Sequence, residues 1–234
     1  MQYVVSADGF RRNFGTRQVL KAASFWAAPG TVTAILGRNG SGKSTLLKCA
    51  VGLVSAEQGV LHFLDRTYLR PRLHHLARSG VFYLPDRTLL SDRFTVAEHL
   101  AAVEWRAGRR HQLRVDELGI DELGNRRVGT LSGGERRRVE IAAAIRRAPV
   151  CLLADEPLAG VSPADQERVS VSLRALAADG TAIVITGHEV PVLLALADQV
   201  IWMTSGTTHG LGSPPEALRH DQFRREYLGA HSLV

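Results

Sequence analysis

A glycine-rich segment, Gly37-Arg-Asn-Gly-Ser-Gly-Lys-Ser-Thr45, constrains the fold of this chain more than any other stretch. The β-branched apolar run 31–36 precedes it and is typical of a buried strand, while residues 46–51 after it predict a helix. A strand, a glycine-rich turn and a helix form the context in which the pattern G-x-x-x-x-G-K-[ST] binds phosphate. We therefore predict a site for a nucleoside triphosphate, rather than a glycine-rich turn that carries a lysine by chance.

Each part of this segment has a physical role at a phosphate. Gly37, Gly40 and Gly42 are expected to adopt backbone conformations that other residues avoid, so that successive N–H groups converge on an anion. The helix that begins near Lys43 adds its positive dipole end. The Lys43 ammonium is expected at the β- and γ-phosphates, and the Ser44 hydroxyl can ligate Mg²⁺.

Three further polar residues follow the ends of predicted strands. Asp155 and Glu156 come after the apolar run 150–154, and His188 comes after the run 181–186. The ligand of a parallel sheet lies beyond the carboxyl ends of its strands, where these residues meet. Asp155 is predicted to support the Mg²⁺ shell, and Glu156 to polarise a water that attacks the γ-phosphate. His188 is placed to hydrogen-bond that phosphate. Polar strand ends are common, so the prediction depends on this convergence.

The segment Leu131-Ser-Gly-Gly-Glu135 predicts a second phosphate site. Ser132 and Glu135 have the spacing of a capping box, which is an ordinary way to begin a helix. Gly133 and Gly134 are poor helix formers, however, and they leave backbone N–H groups bare at a positive helix end. One sheet can hardly bring both glycine-rich segments to the same phosphate. A two-fold dimer can, if each subunit offers residues 131–135 to the nucleotide of its partner.

Strands that alternate with helices in the second half of the chain predict an α/β fold with a mainly parallel sheet. Short apolar runs between residues 3 and 28 predict an antiparallel sheet beside it. Residues 59–64 and 80–84 are predicted strands, and residues 69–78 a basic helix. The other predicted helices span residues 95–107, 112–118 and 132–148, and a further one begins at Ser162.

The composition argues against a membrane-spanning or secreted protein. No run of 18 or more apolar residues occurs, and residues 1–8 lack the pattern of a secretion signal. The chain has 29 Lys plus Arg and 23 Asp plus Glu; the resulting net charge of +6 permits an anionic partner without establishing one. Cys49 and Cys151 lie in apolar runs and are expected as buried thiols of a cytosolic protein.

The order and spacing of these motifs resemble those of the ATP-binding cassette (ABC) transporter ATPases. GRNGSGKST, LSGGE, CLLADEP and the segment around His188 match that family over nearly the whole chain. LSGGE together with the phosphate-binding loop is highly specific to it. The end of the chain, from Thr186-Gly-His-Glu-Val to Arg225-Glu-Tyr-Leu-Gly229, looks most like the branched-chain amino-acid uptake and lipopolysaccharide export ATPases.

The resemblance implies a P-loop NTPase fold with a single ABC ATPase domain over residues 1–234. The nucleotide-binding core and antiparallel β-subdomain are expected at 1–85 and 149–234, and an inserted α-helical subdomain with the signature motif at 86–148. The resemblance also implies a head-to-tail dimer, of identical or different subunits, that closes on two ATP molecules with Mg²⁺, hydrolyses them and drives integral membrane transporter subunits. The chain is then expected in the cytoplasm, as a peripheral protein at the inner face of the cell membrane.

The resemblance also implies roles for individual residues. Phe14 matches the aromatic that stacks on adenine, although a turn residue covering the sheet edge explains Phe14 nearly as well. Ser132 and Gly134 match the signature contacts with the partner's ATP, and Glu156 matches the catalytic base, with His188 beside it. The expected ATP-binding residues are Phe14, Gly37, Asn39, Gly40, Ser41, Gly42, Lys43, Ser44 and Thr45, and the expected signature residues are Leu131, Ser132, Gly133, Gly134 and Glu135.

Two positions depart from the family pattern. The family usually has a glutamine at the hinge to the helical subdomain, whereas this chain has Asp86, which accepts hydrogen bonds but cannot donate them. In the D-loop the family usually reads Gly-Leu-Asp-Pro, whereas this chain reads Gly160-Val-Ser-Pro163. Ser162 keeps the helix cap but lacks the carboxylate that helps the two sites communicate. We expect these departures to affect coupling rather than ATP binding.

Two other functions are compatible with a phosphate-binding loop. A soluble ABC ATPase that acts on nucleic acid or ribosomes would suit the basic charge, but such proteins generally carry tandem cassettes or a long coiled-coil insertion. Neither feature is present in this sequence. A small-molecule kinase would leave LSGGE unexplained. We therefore expect no nucleic-acid partner, while the transported substrate and the direction of transport do not follow from the motifs.

Overall fold

The computed structural model describes residues 3–104 and 118–229, apart from the side chain of residue 104. The strands are β1 (Val5–Phe14), β2 (Arg17–Ala27), β3 (Val32–Leu36), β4 (Gln58–Phe63), β5 (Arg66–Tyr68), β6 (Val81–Leu84), β7 (Cys151–Ala154), β8 (Ala182–Gly187), β9 (Gln199–Thr204) and β10 (Thr207–Gly212). The helices are α1 (Lys43–Ala50), α2 (Leu73–Arg78), α3 (Val96–Glu104), α4 (Gly133–Arg146), α5 (Pro163–Ala178), α6 (Val190–Leu196), α7 (Pro214–Arg219) and α8 (Asp221–Phe223), which continues as a π-helical turn (Arg224–Leu228). The sheet order is β5-β4-β1-β2-β10-β9-β3-β8-β7-β6.

The centre of the sheet is parallel, as the alternation of strands and helices predicts. β3 pairs in parallel with β8 and β9, and β7 pairs in parallel with β6 and β8. β3, β7 and β8 are buried over their whole length, which explains their nearly continuous apolar sequences. Their carboxyl ends therefore meet at one edge of the sheet.

An antiparallel arm continues the sheet, which confirms the prediction for the N-terminal residues. β1 pairs with β2 and β4, and β4 pairs with β5, all antiparallel. β1 and β2 are longer than the apolar runs predict, because their outer ends are exposed and accept the polar residues 11–13 and 17–18. β10 joins the arm to the parallel part by pairing with β2 and β9.

Alternate residues of the central strands face two separate apolar clusters. On one face, Ile35 and Val184 belong to a cluster that includes Leu46 and Leu47 of α1 and the interior of the antiparallel arm. On the other face, Leu36 and its neighbours pack with α4, α5 and α6. Helices thus cover both faces of the parallel sheet, and α1 is anchored along its buried side directly behind the phosphate-binding loop.

Between β6 and β7 the chain leaves the sheet for α3, two short 3₁₀ turns (Asp121–Leu123 and Val128–Thr130) and α4. Both helices begin with capping boxes, and the one at Ser132 and Glu135 is predicted by the sequence. The Glu98 N–H donates to the Thr95 hydroxyl (3.2 Å) while the Thr95 N–H donates to the Glu98 carboxylate (2.7 Å), and Ser132 and Glu135 form the same pair of bonds. The predicted helix at 112–118, apart from Leu118, and the predicted helix end at 105–107 lie outside the described residues.

Several smaller predictions are corrected or supported. α2 begins at Leu73 rather than Leu69, since Pro71 does not continue a helix there. Cys49 and Cys151 are buried free thiols, as predicted, and burial raises the pKa of Cys49 to about 11. Over residues 3–104 and 118–229, no helix has both the length and the apolar character needed to cross a bilayer.

Candidate active site

The phosphate-binding loop joins β3 to α1 and uses its glycines in two ways. Gly40 (φ 78°) and Gly42 (φ 112°) have the left-handed backbone that we predict. Gly37 does not have a left-handed backbone, so the reason that we predict for a glycine at this position is wrong. A Cβ added at Gly37 would lie 2.4 Å from the Met203 carbonyl oxygen. Glycine is required at this position because β9 passes against it. Within the loop, Asn39 is exposed and Ser41 half-buried; Thr45 is a half-buried residue of α1.

Lys43 is the first residue of α1, and its ammonium folds back over the loop. Its Nζ donates to the carbonyl oxygens of Gly37 (2.8 Å) and Arg38 (3.3 Å). It also lies 3.8 Å from Oε1 of Glu156. Burial lowers the pKa of Lys43, and the nearby carboxylates of Glu156 and Asp155 oppose this shift. The loop thus carries a cation that faces the predicted catalytic glutamate.

Asp155, which directly follows β7, is fully buried, and its side chain is hydrogen-bonded to residues of α1 and β8. Its Oδ1 accepts hydrogen bonds from Ser44 Oγ (2.9 Å), beyond β3, and from Thr186 Oγ1 (2.7 Å), on β8. Its Oδ2 is buried and accepts no hydrogen bond from the described residues. Burial raises the pKa of Asp155, and the two hydroxyl hydrogen bonds oppose this shift. A buried carboxylate oxygen without a donor, beside a serine hydroxyl, fits a hydrated Mg²⁺.

Glu156 carries its carboxylate between two cationic or polar groups. Oε1 lies 3.8 Å from Lys43 Nζ, and Oε2 lies 3.7 Å from His188 Nδ1. The backbone of Glu156 is left-handed, with φ of 48°, a conformation that costs about 1–2 kcal/mol for a residue other than glycine. Its N–H donates to Thr186 Oγ1 (3.0 Å), which helps to hold this conformation. Strained backbone of this kind is common at catalytic positions.

The segment 131–135 lies apart from the phosphate-binding loop of its own chain. Leu131 is buried, Ser132 caps α4, and Gly133 and Gly134 form its first turn. Glu135 accepts a hydrogen bond from Arg126 at 2.7 Å. Over the described part of the chain, no hydrogen bond or ion pair links residues 131–135 with residues 37–45.

Asp86 and Ser162 contact different helices. Asp86 follows β6 and pairs with Lys48 of α1, with 3.3 Å between Nζ and Oδ1. Ser162 caps α5 and accepts from the Asp165 N–H at 3.2 Å. Asp165 forms an ion pair with Arg138 of α4 at 2.9 Å, so a carboxylate three residues after Ser162 contacts the helix that follows the signature segment.

Phe14 lies at the end of β1, in the turn before β2, and is 46% exposed. The guanidinium of Arg12 lies 4.6 Å from the centroid of its ring, so one face of the ring is already covered. A cavity of about 700 Å³ opens beside the phosphate-binding loop; Arg17, Arg38 and Tyr227 are among its lining residues, and Phe14 is not. Stacking of Phe14 on adenine therefore remains a prediction.

The model of the ABC transporter family matches residues 20–159, more than half of the chain. The chain belongs to this family. It is 32% identical over 237 residues to the lipopolysaccharide export system ATP-binding protein LptB of Acidithiobacillus ferridurans, a match that covers 98% of each chain. It is also 32% identical over 234 residues to LptB of Escherichia coli K12, covering 96% of this chain and 97% of that protein.

Solved structures show the same fold. The ADP conformation of MJ1267, an ATP-binding cassette of an ABC transporter, matches with a TM-score of 0.84 at 24% identity, over 98% of this chain and 100% of that one. The chain is thus an ABC ATPase that binds and hydrolyses ATP as part of a transporter, as the motifs predict. Action on nucleic acid or ribosomes is not favoured, because the matching family and the relatives at 32% identity have transporter or export names.

Arg137 is a site residue of this ABC ATPase that the sequence analysis missed. It lies on α4 and is 7% exposed. Its guanidinium donates to the carbonyl oxygens of Pro85 (3.1 Å) and Glu156 (3.0 Å), and it pairs with Glu140 at 2.9 Å. It therefore joins the start of the hinge to the residue predicted as catalytic base. In the sequence, Arg137 and Glu140 look like an exposed helical pair.

The C-terminal segment is a second feature that the motifs did not indicate. Arg38, in the phosphate-binding loop, donates to the Glu226 carbonyl oxygen at 2.8 Å. Phe223 contacts both Trp202 of β9 and Tyr227, with ring centroids 5.8 and 5.3 Å apart. The last turn of the described chain is thus packed against the phosphate-binding loop, a contact between distant segments that no local pattern reveals.

Thr186 provides a test of this geometry, because its hydroxyl bonds to both Asp155 and Glu156. We expect Thr186→Val to lower kcat for ATP hydrolysis by roughly 10- to 100-fold, since hydrogen bonds to charged groups contribute about 1.5–3 kcal/mol. ATP affinity should change by less than about three-fold, because the loop is untouched. Thr186→Ser keeps the hydroxyl and should remain close to wild type. Wild-type turnover in Thr186→Val, measured by phosphate release, would contradict this role.

Proposed function

We propose that this chain is the ATPase subunit of a lipopolysaccharide-export type transporter, bound peripherally at the inner face of the cell membrane. The observation that carries the catalytic part is the position of the Glu156 carboxylate, between Lys43 and His188 and next to the buried Asp155. The names of relatives that match nearly the full chain support the substrate class. Two subunits close on two ATP molecules and drive integral membrane partners.

In this proposal Glu156 is the general base. Its carboxylate takes a proton from a water whose oxygen attacks the γ-phosphorus, and the bond from that phosphorus to the β-phosphate oxygen breaks. Lys43 stabilises the negative charge of the β- and γ-phosphates, while His188, 3.7 Å from the Glu156 carboxylate, hydrogen-bonds the γ-phosphate. The main-chain N–H groups of the loop, at positions 37, 39–42, 44 and 45, complete the phosphate cradle.

Ser44 and Asp155 are the residues that would hold Mg²⁺. Their oxygens lie 2.9 Å apart, and Asp155 Oδ2 has no hydrogen-bond donor. When bound with ATP, the ion neutralises charge on the β- and γ-phosphate oxygens. Oxygens of phosphate and water would complete the shell of this ion.

The proposal assigns residues 131–135 to the ATP of the partner subunit. Ser132 begins α4, so its hydroxyl and the free N–H groups of Gly133 and Gly134 lie at the positive end of a 14-residue helix. Their lack of contact with the loop of the same chain supports a shared site. Ser162 and Asp165 lie at the start of α5 and join this helix through Arg138. A dimer of identical subunits is the simplest arrangement that completes both sites.

The membrane subunits are proposed to dock beside the hinge. Residues 86–148 form the helical subdomain in this proposal, with Asp86 at its start. Leu89 and Phe94, just after the hinge, are 47% and 52% exposed, so they offer apolar surface for such a contact. Phe14 remains a candidate for stacking on adenine with its open face.

Glu156→Gln tests the catalytic assignment. The amide cannot accept the water's proton, so we expect turnover to fall by at least about 100-fold while ATP binding is retained. The variant should also persist as an ATP-bound dimer on size-exclusion chromatography. Glu189→Gln, which removes a neighbouring carboxylate, serves as the control and should hydrolyse ATP normally. A Glu156→Gln preparation that turns over at the wild-type rate would exclude Glu156 as the base.

Purification of the native complex from detergent-solubilised membranes tests the transport assignment. We expect integral membrane proteins and bound lipopolysaccharide to accompany the chain. Phe94→Ser should reduce recovery of the membrane proteins at least several-fold, because it removes an apolar contact at the hinge. Leu64→Ser is the matched control. Leu64 is 49% exposed on the antiparallel arm, and its replacement should leave recovery of the membrane proteins unchanged. Recovery of nucleic acid in place of membrane proteins would favour the alternative function, and membrane proteins without lipopolysaccharide would contradict the substrate class.

A further inference from the structure

Three charged side chains form a line at the edge of the proposed metal site. Lys48, on α1, lies 3.3 Å from Oδ1 of Asp86 and 3.9 Å from Oδ2 of Asp155. The contact with Asp86 is also a hydrogen bond donated by Nζ. Asp86 is 37% exposed at the hinge, Lys48 is 30% exposed, and Asp155 is fully buried. One ammonium therefore lies between the hinge and the interior of the site.

The backbone of Lys48 is held in place by the packing of α1 against the sheet. It lies on the helix that begins at the phosphate-binding loop, and its neighbours Leu47 and Cys49 are packed into the apolar cluster on that face of the sheet. An ammonium has three N–H donors on a flexible stem, so it can contact two carboxylates that are not coplanar. Asp155 Oδ2, which accepts no hydrogen bond from the described residues, lies 3.9 Å from the Lys48 ammonium.

Asp86 would be unfavourable at this position without a cation. A second carboxylate near the buried Asp155 adds like-charge repulsion, and the Lys48 ammonium, 3.3 Å from Asp86 and 3.9 Å from Asp155, offsets it. A glutamine, usual here in the resembled family, brings no such charge. An aspartate at the hinge therefore needs a neighbouring positive charge, and Lys48 supplies it.

We propose that Lys48 is a positioning residue that neutralises Asp86 and links the hinge electrostatically to Asp155. The roles of the hinge and of Asp155 rest on the proposed function; the ion pair itself does not. Both carboxylates share one ammonium, so a movement of the hinge that separates Asp86 from Lys48 changes the electrostatic potential at Asp155. The chain thus connects the membrane side of the subunit to its metal site through a charge contact.

Lysine NMR tests the ion pair without nucleotide or turnover. The sequence contains three lysines, Lys21, Lys43 and Lys48, so ¹³C,¹⁵N-lysine labelling of the full chain gives three sets of side-chain signals, which Lys21→Arg and Lys48→Arg assign. We expect Asp86→Asn to move the Lys48 Cε and Nζ signals toward the position of a solvated lysine and to leave those of Lys21 unchanged. A Lys48 signal that already has the solvated position and ignores Asp86→Asn would overturn the proposal.

The link to the metal site is tested by removing Lys48 in two backgrounds. We expect Lys48→Met to lower the free Mg²⁺ concentration for half-maximal hydrolysis at least five-fold, because two uncompensated carboxylates attract a cation. In an Asp86→Gln background, Lys48→Met should shift this Mg²⁺ concentration by less than two-fold. Equal shifts in both backgrounds would overturn the electrostatic link. Failure of the Glu156 assignment leaves the NMR result unaffected, so the two proposals fail separately.

Discussion

The structure of the site depends on one buried carboxylate and the two hydroxyls that bond to it. Asp155, Ser44 and Thr186 come from three segments that follow or form adjacent parallel strands, and their hydrogen bonds join those strands at the carboxyl edge. A buried carboxylate is costly unless it is paired, and hydrogen bonds to a charged group contribute about 1.5–3 kcal/mol each. Two such bonds satisfy Oδ1 and leave Oδ2 without a donor. The folded chain therefore keeps a carboxylate oxygen available where a cation is proposed to bind.

Glu156, the residue after this carboxylate, is held in place by contacts from β8 and from α4. Thr186 and Arg137 bond to the backbone of Glu156 and hold a left-handed conformation that glutamate adopts only under constraint. Arg137 also bonds to Pro85, so the helix after the signature segment contacts the hinge and the catalytic strand end together. A movement of α4 would therefore be transmitted to both. These contacts offer a route for the proposed coupling between docking at the hinge and hydrolysis.

Local patterns predict most of the fold and the phosphate-binding loop, because these depend on short-range physics. The apolar run 31–36 predicts a buried strand, and the left-handed glycines at 40 and 42 follow from the loop motif. Gly37 is different: its constraint is the approach of Met203, which is distant in sequence. Thr186 reads as a β-branched strand residue and Arg137 as an exposed helical arginine. Their roles arise only when β7, β8 and α4 are brought together, and no spacing rule contains that information.

We propose that each ATP site combines residues 37–45 of one subunit with residues 131–135 of its partner, and mixed dimers test this proposal most directly. In a Glu156→Gln background, Lys43→Ala and Ser132→Arg each damage both sites of their own homodimers. In a mixed dimer both changes fall on one site and leave the other intact. We predict that neither variant alone retains ATP in a closed dimer, whereas their mixture retains one ATP per mixed dimer. ATP retention by both single variants, or none in the mixture, would contradict a site shared between subunits.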